Sequence, residues 1–131
     1  MTAVVTIDDV AAVALHLPET VQSERRGSEI WAVRDRTFAW IRPFTKADIK
    51  RFGDQRPPGG PILGVRVADL QDKEALLAEG RGGLFTIPHF DGFAAVLVQL
   101  QTVDDGVLEE VVVDAWLACA PPALVKGYLG S

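Results

Sequence analysis

The chain has 131 residues, of which 48% are hydrophobic and 24% charged, with a net charge of -5 and one cysteine. That composition describes one globular domain over residues 1–131, not a disordered segment, and the acidic balance argues against wholesale nucleic-acid binding. A lone Cys119 excludes an intramolecular disulfide and suits a reducing cytoplasm, and with no apolar run of about eighteen residues and no basic, apolar leader, neither a membrane span nor a secretory signal is expected.

Ile7, Val10, Ala11, Ala14 and Leu15 recur at helical spacing; Thr6 with Asp9 resembles a capping box, and Pro18 stops the pattern. The polar stretch "ETVQSERRGSE" reads as a loop or a short edge strand. "EIWAVR" and "TFAWIR" are β-rich runs separated by Asp35-Arg36, which predicts a tight hairpin; Trp31 and Val33 are expected on one face, and Phe38, Trp40 and Arg42 together on one face of the second strand. "TKADIKRFG" predicts a short helix capped by Thr45, with Asp48 at its third position, Ile49 and Phe52 facing inward and Gly53 as the stop. "DQRPPGGP" is a loop, because its prolines have no amide to donate and its glycines are flexible.

"ILGVRV" returns as a strand, and "DLQDKEALLAEG" is a helix between Asp69 and Gly80. "GGLFTIP" is short and apolar; "FAAVLVQLQ" is the longest strand, with Ala94, Val96, Val98 and Leu100 on one face. A last main helix starts near Asp105, with the stripe Leu108, Val111, Val112, Ala115, Trp116 and Cys119; Pro121-Pro122 breaks it, and "ALVKGYLG" adds a short helical turn. A hairpin with helices at both ends of the chain specifies an α+β two-layer sandwich: an antiparallel sheet with helices packed on one face and Trp116 buried.

Charge is unevenly spread. Residues 17–66 hold ten Lys or Arg against six Asp or Glu, a balance of +4, whereas residues 67–131 hold three against ten, a balance of -7. The first half therefore offers either a basic face or ordinary solvated arginines. No phosphate loop, dinucleotide fingerprint, nucleophile elbow or zinc motif is present, and two histidines, His16 and His89, with one cysteine do not make a structural metal site. No metal and no cofactor are expected. "IPHFDG" is the most distinctive segment. His89 and Asp91, two apart in an extended strand, would share a face and offer an acid–base pair, but no nucleophile accompanies them. The plainer reading makes Asp91-Gly92 a tight turn with Phe90 and Phe93 packed and the His89 ring hydrogen-bonded to backbone or a nearby side chain; the sharper one makes the segment a binding lip.

The stretches "FAWIRPFTKADIKRF", "GGPILGVRVADLQDKEALLAE" and "FTIPHFDGFAAVLVQL" resemble the MmcQ/YjbR family over almost the whole chain. The resemblance implies an α-β(3)-α-β(2)-α two-layer fold, similar to a double-wing DNA-binding fold and to secretion chaperones. It brings no established catalytic residues, and the family's DNA-binding name is an analogy of fold. Here the hallmark segment reads His89-Phe90-Asp91, less basic than in better-known members.

Two functional expectations follow. A DNA-binding protein would contact phosphates through Arg25, Arg26, Arg34, Arg36, Arg42, Lys46, Lys50, Arg51 and Arg66. A protein-interaction or small-ligand module would use the lip of Trp40, His89, Phe90, Asp91 and Phe93. An enzyme is not expected, for want of a nucleophile, metal set or cofactor motif. The discriminating observation is whether the basic residues share one face.

Overall fold

Capping chemistry sets the helix starts. In the computed structural model, which describes residues 4–130, the Thr6 hydroxyl accepts from the Asp9 N–H while the Asp9 carboxylate accepts from the Thr6 N–H, and α1 runs Ile7–Leu15. The same reciprocal box at Thr45 and Asp48 opens α2, Lys46–Arg51, and Asp69 and Asp104 cap α3, Leu70–Ala78, and α4, Asp105–Cys119. The helix α5, Pro122–Gly130, is longer than the single turn expected from its sequence.

Six strands, β1 Thr20–Arg25, β2 Ser28–Val33, β3 Arg36–Ile41, β4 Ile62–Arg66, β5 Leu84–Phe85 and β6 Ala95–Gln99, form one antiparallel sheet in the order β1-β2-β3-β4-β6-β5. The polar stretch after Pro18 is thus an edge strand. α1 and α4 lie against one face. Every residue of the α4 stripe is buried there, with Trp31, Val33, Phe38, Leu63, Val65, Val96, Val98 and Leu100 from the sheet. Each such buried aliphatic or phenyl side chain contributes about 1.5–3 kcal/mol. The buried indoles satisfy their N–H groups, Trp31 on Gln22 Oε1 at 2.9 Å and Trp116 on Pro18 O at 3.0 Å.

The other face is divided. Over β4 and β6 a smaller apolar cluster joins Ile62, Ile87, Phe90, Ala95 and Leu97 to Trp40, Phe44, Phe52 and Phe85. Over β1 and β2 the face is open: Val21 is 64% exposed, and Ser23 and Arg25 are exposed.

Four local readings change. β6, with five residues, is not the longest strand, since β1, β2 and β3 have six each. The β2–β3 turn is Arg34-Asp35, one residue earlier than expected; both residues take positive φ (48° and 66°), so it has the primed geometry that matches strand twist without glycine. Phe38 and Trp40 do not share a face. Trp31 pairs with Ala39 and Ala32 with Thr37, so Phe38 is the extra residue of a β-bulge. The bulge turns Phe38 to the core beside Ala39 and leaves Trp40 on the opposite side. At the α2 segment Phe52 faces inward as expected, but Asp48, 2% exposed, is buried in place of Ile49, which is 50% exposed.

Candidate functional site

The open face of the sheet carries a regular grid. Arg25 lies opposite Ser28, Ser23 opposite Ile30, Ile30 opposite Trp40, and Trp40 opposite Gly64. Opposed residues point to the same side, and residues two apart on one strand repeat that side about 7 Å along. Trp40 therefore sits mid-floor, with Arg42 two residues on along β3 and Arg66 two residues beyond Gly64 along β4. Around this floor lies a cleft of about 720 Å³ lined by Arg25, Arg26, Ser28, Ile30, Thr37, Trp40, Ile41, Arg42, Pro43, Thr45, Arg66, His89 and Phe93. One wall is the tip of the β1–β2 hairpin with Arg25 and Arg26; the other is the segment that holds His89 and Phe93.

Gly64 is what lets Trp40 lie down. A Cβ at position 64 would meet the indole Cε2 at 2.5 Å and Cζ2 at 2.6 Å, so the ring rests directly on the β4 backbone. Trp40 also packs on Phe90, with centroids 6.4 Å apart. Unlike Trp31 and Trp116, its indole N–H has no acceptor among the described residues.

Two arginines of the cleft are braced by rings. The Arg42 guanidinium lies 5.4 Å from the Phe90 centroid and that of Arg66 5.0 Å from the Phe93 centroid, both within cation–π range. Arg42 also pairs with the buried Asp48 at 3.0 Å and donates to Pro43 O. Burial alone would push the Asp48 carboxyl up; hydrogen bonds from the backbone and side chain of Thr45 and the Arg42 charge outweigh it, and its pKa lies below the ordinary carboxylate value. Arg25, Arg26 and Arg66 have no carboxylate partner among the described residues, and the Arg66 Nε is buried without a hydrogen bond. Among the described residues, no carboxylate lines the cleft.

The "IPHFDG" segment is a turn with a specific anchor. Pro88–Phe90 is a 3₁₀ turn, not an extended strand, so His89 and Asp91 lose the shared face expected of them. Gly92 takes φ 76°, and the turn directs two carbonyls at one cation: Lys73 of α3, only 7% exposed, donates to Phe90 O at 2.6 Å and Phe93 O at 2.9 Å. Burial pushes the Lys73 pKa down, with the Asp91 charge opposing. His89 is exposed, edge-on to Phe90 at 5.4 Å; contrary to expectation, its ring makes no hydrogen bond among the described residues. Phe90 is buried and Phe93 is 40% exposed, so of the expected lip, Trp40, His89 and Phe93 line the cleft while Phe90 supports it from behind and Asp91 lies outside its lining.

The nine expected phosphate contacts do not form one stripe. Arg25, Arg26, Arg42 and Arg66 converge on the cleft. Arg34 is held by Glu19 and is half-exposed at the far hairpin turn. Arg36 donates to Cys119 O at 3.1 Å, on the helix-covered face. Lys46, Lys50 and Arg51 are exposed on α2, outside the cleft lining. In the sequence these residues fall into two separate sites; only the register of three strands and the fold-back of residues 88–93 merge them. Ser28, Ile30, Thr37, Ile41, Pro43 and Thr45 were missed, and Ile30 is visible only through the bulged register that sets it opposite Trp40.

Comparison with known proteins agrees with this architecture. The family model described as YjbR matches residues 15–118. Uncharacterised proteins Rv2570 of Mycobacterium tuberculosis (strain ATCC 25618 / H37Rv) and Mb2600 of Mycobacterium bovis (strain ATCC BAA-935 / AF2122/97) are each 43% identical over 129 residues, covering 96% of this chain and 97% of their own. In fold, the chain is similar to the crystal structure of Deinococcus radiodurans protein DR2400, which carries the family-model domain DUF419, with a TM-score of 0.59, 22% identity, and coverage of 88% of this chain and 79% of that one. With its helix-backed antiparallel sheet and a family match from Leu15 to Ala118, this chain belongs to the YjbR family.

Proposed function

We propose that this protein is a binding module whose basic and aromatic cleft takes an anionic ligand. One observation carries the reading. Four arginines from three separate strand ends, Arg25, Arg26, Arg42 and Arg66, meet around Trp40, His89 and Phe93 in a cleft that no carboxylate lines among the described residues. Three of the four lack an ion-pair partner among the described residues, so an incoming anion need not break an internal salt bridge. Ring-braced guanidiniums lose little freedom on binding. A second, acidic groove between α3 and α4 supports the reading less, because its Arg81 already pairs with Glu79 and Glu110.

The duplex-DNA reading draws on the same arginines but needs more of them. Five of its nine contacts lie elsewhere, and the acidic half of the chain opposes a long polyanion. Titration calorimetry with inorganic pyrophosphate at low ionic strength tests the proposal. Saturable binding is expected, weakened at least about tenfold in the Arg25→Gln/Arg66→Gln double variant and unchanged in Arg34→Gln. No binding, or equal losses in both variants, would overturn it.

A further inference from the structure

The cleft is too large and too apolar for a bare oxyanion. Its volume of about 720 Å³ compares with a liquid-water share of about 30 Å³ per molecule and falls in the range of about 300–1,000 Å³ typical of sites for whole organic ligands. Its floor is Ile30 and Trp40 and its lip Phe93, all uncharged. The indole rests against Gly64 and is braced at a 40° tilt by Phe90, and its N–H has no acceptor among the described residues. That leaves an aromatic surface in the cleft with arginines on both flanks: Arg25, Arg26 and Arg42 on one side and Arg66 on the other.

Resting on the anion-binding reading above, we propose that the ligand joins a planar ring to a phosphate, as a nucleoside monophosphate does. The ring stacks on Trp40 with Phe93 at its edge, and the phosphate meets the arginine flank. Stacking on an aromatic side chain suits any base, because every base has a π-face. Bidentate guanidinium contacts suit a phosphate in the same way. The phosphate-bearing ring can come from a free nucleotide or from one residue of a single strand, and the chemistry of the cleft is the same for both.

Intrinsic fluorescence reads this directly. Trp31 and Trp116 are fully buried in the core, so quenching by a ligand ring reports Trp40. The protein is titrated with adenosine 5′-monophosphate, uridine 5′-monophosphate, adenosine and inorganic phosphate, with calorimetry in parallel. The monophosphates are expected to quench and to bind at least about tenfold tighter than adenosine or phosphate alone. Trp40→Phe should lose the quench yet keep most of the affinity, while Trp40→Leu should reduce monophosphate affinity to that of phosphate. If Trp40→Leu does not fold, the wild-type comparison of monophosphate with phosphate still decides. Monophosphates binding no tighter than phosphate would overturn the inference and leave the anion reading standing; no binding of either would overturn both. A single-stranded trinucleotide separates the sources, binding tighter than a monophosphate if a nucleic-acid strand is the ligand and equally if a free nucleotide is.

Discussion

Arg26 occupies a backbone conformation that does not suit it. Its φ is 53°, and with Gly27 at 80° it forms the two-residue turn between β1 and β2. Left-handed backbone costs a residue with a Cβ about 1–2 kcal/mol, and asparagine or glycine tolerates it best. Arg34 takes the same conformation at the next turn, but there Glu19 holds its guanidinium. Arg26 has no such partner among the described residues, and its side chain lines the cleft. Backbone strain of this kind gathers at functional positions. Arg26→Asn is therefore expected to raise stability by up to about 1 kcal/mol in urea unfolding and to weaken pyrophosphate binding. A variant that is less stable and binds as well as wild type would contradict this.

At the scale of elements, the cleft depends on how residues 88–93 are held. Lys73 donates to two carbonyls of that turn, Phe90 O and Phe93 O, which otherwise accept one backbone N–H each, from Phe93 and from Ala95. Lys73→Met keeps the length and apolar stem of the side chain, so the loss isolates the hydrogen bonds. A hydrogen bond to a charged group contributes about 1.5–3 kcal/mol, and the expected result is a loss in that range with weaker anion binding, since His89 and Phe93 shift. Stability lost with binding intact would mean that the turn does not shape the cleft. The sequence made some of these elements plain and hid others. The α4 stripe and the Thr6 and Thr45 boxes are legible because their partners lie within one helical turn. The Phe38 bulge is not, because a bulge leaves strand composition unchanged and shows only in the register against Trp31 and Ala32. Lys73 reads as a solvated helix cation, and only the fold brings Phe90 O to it.

At the scale of the molecule, the charge asymmetry of the sequence becomes two surfaces with different fates. The basic half supplies the cleft through β1, β3 and β4, with Arg34 and Arg36 diverted to Glu19 and Cys119. The acidic half supplies α3 and α4, where Arg81 neutralises part of a groove and burial together with Glu110 raises the Asp114 pKa. A count of charges foretold the asymmetry but not the convergence, since Arg25 and His89 are far apart along the chain and meet only through the sheet order. Chemical-shift mapping on the ¹⁵N-labelled 14.2 kDa chain, titrated with pyrophosphate, tests the central claim most directly. The account expects saturating shifts confined to Arg25–Ile30, Thr37–Arg42, Arg66 and His89–Phe93; shifts centred on Lys46, Lys50 and Arg51, or spread evenly over the basic half, would contradict it.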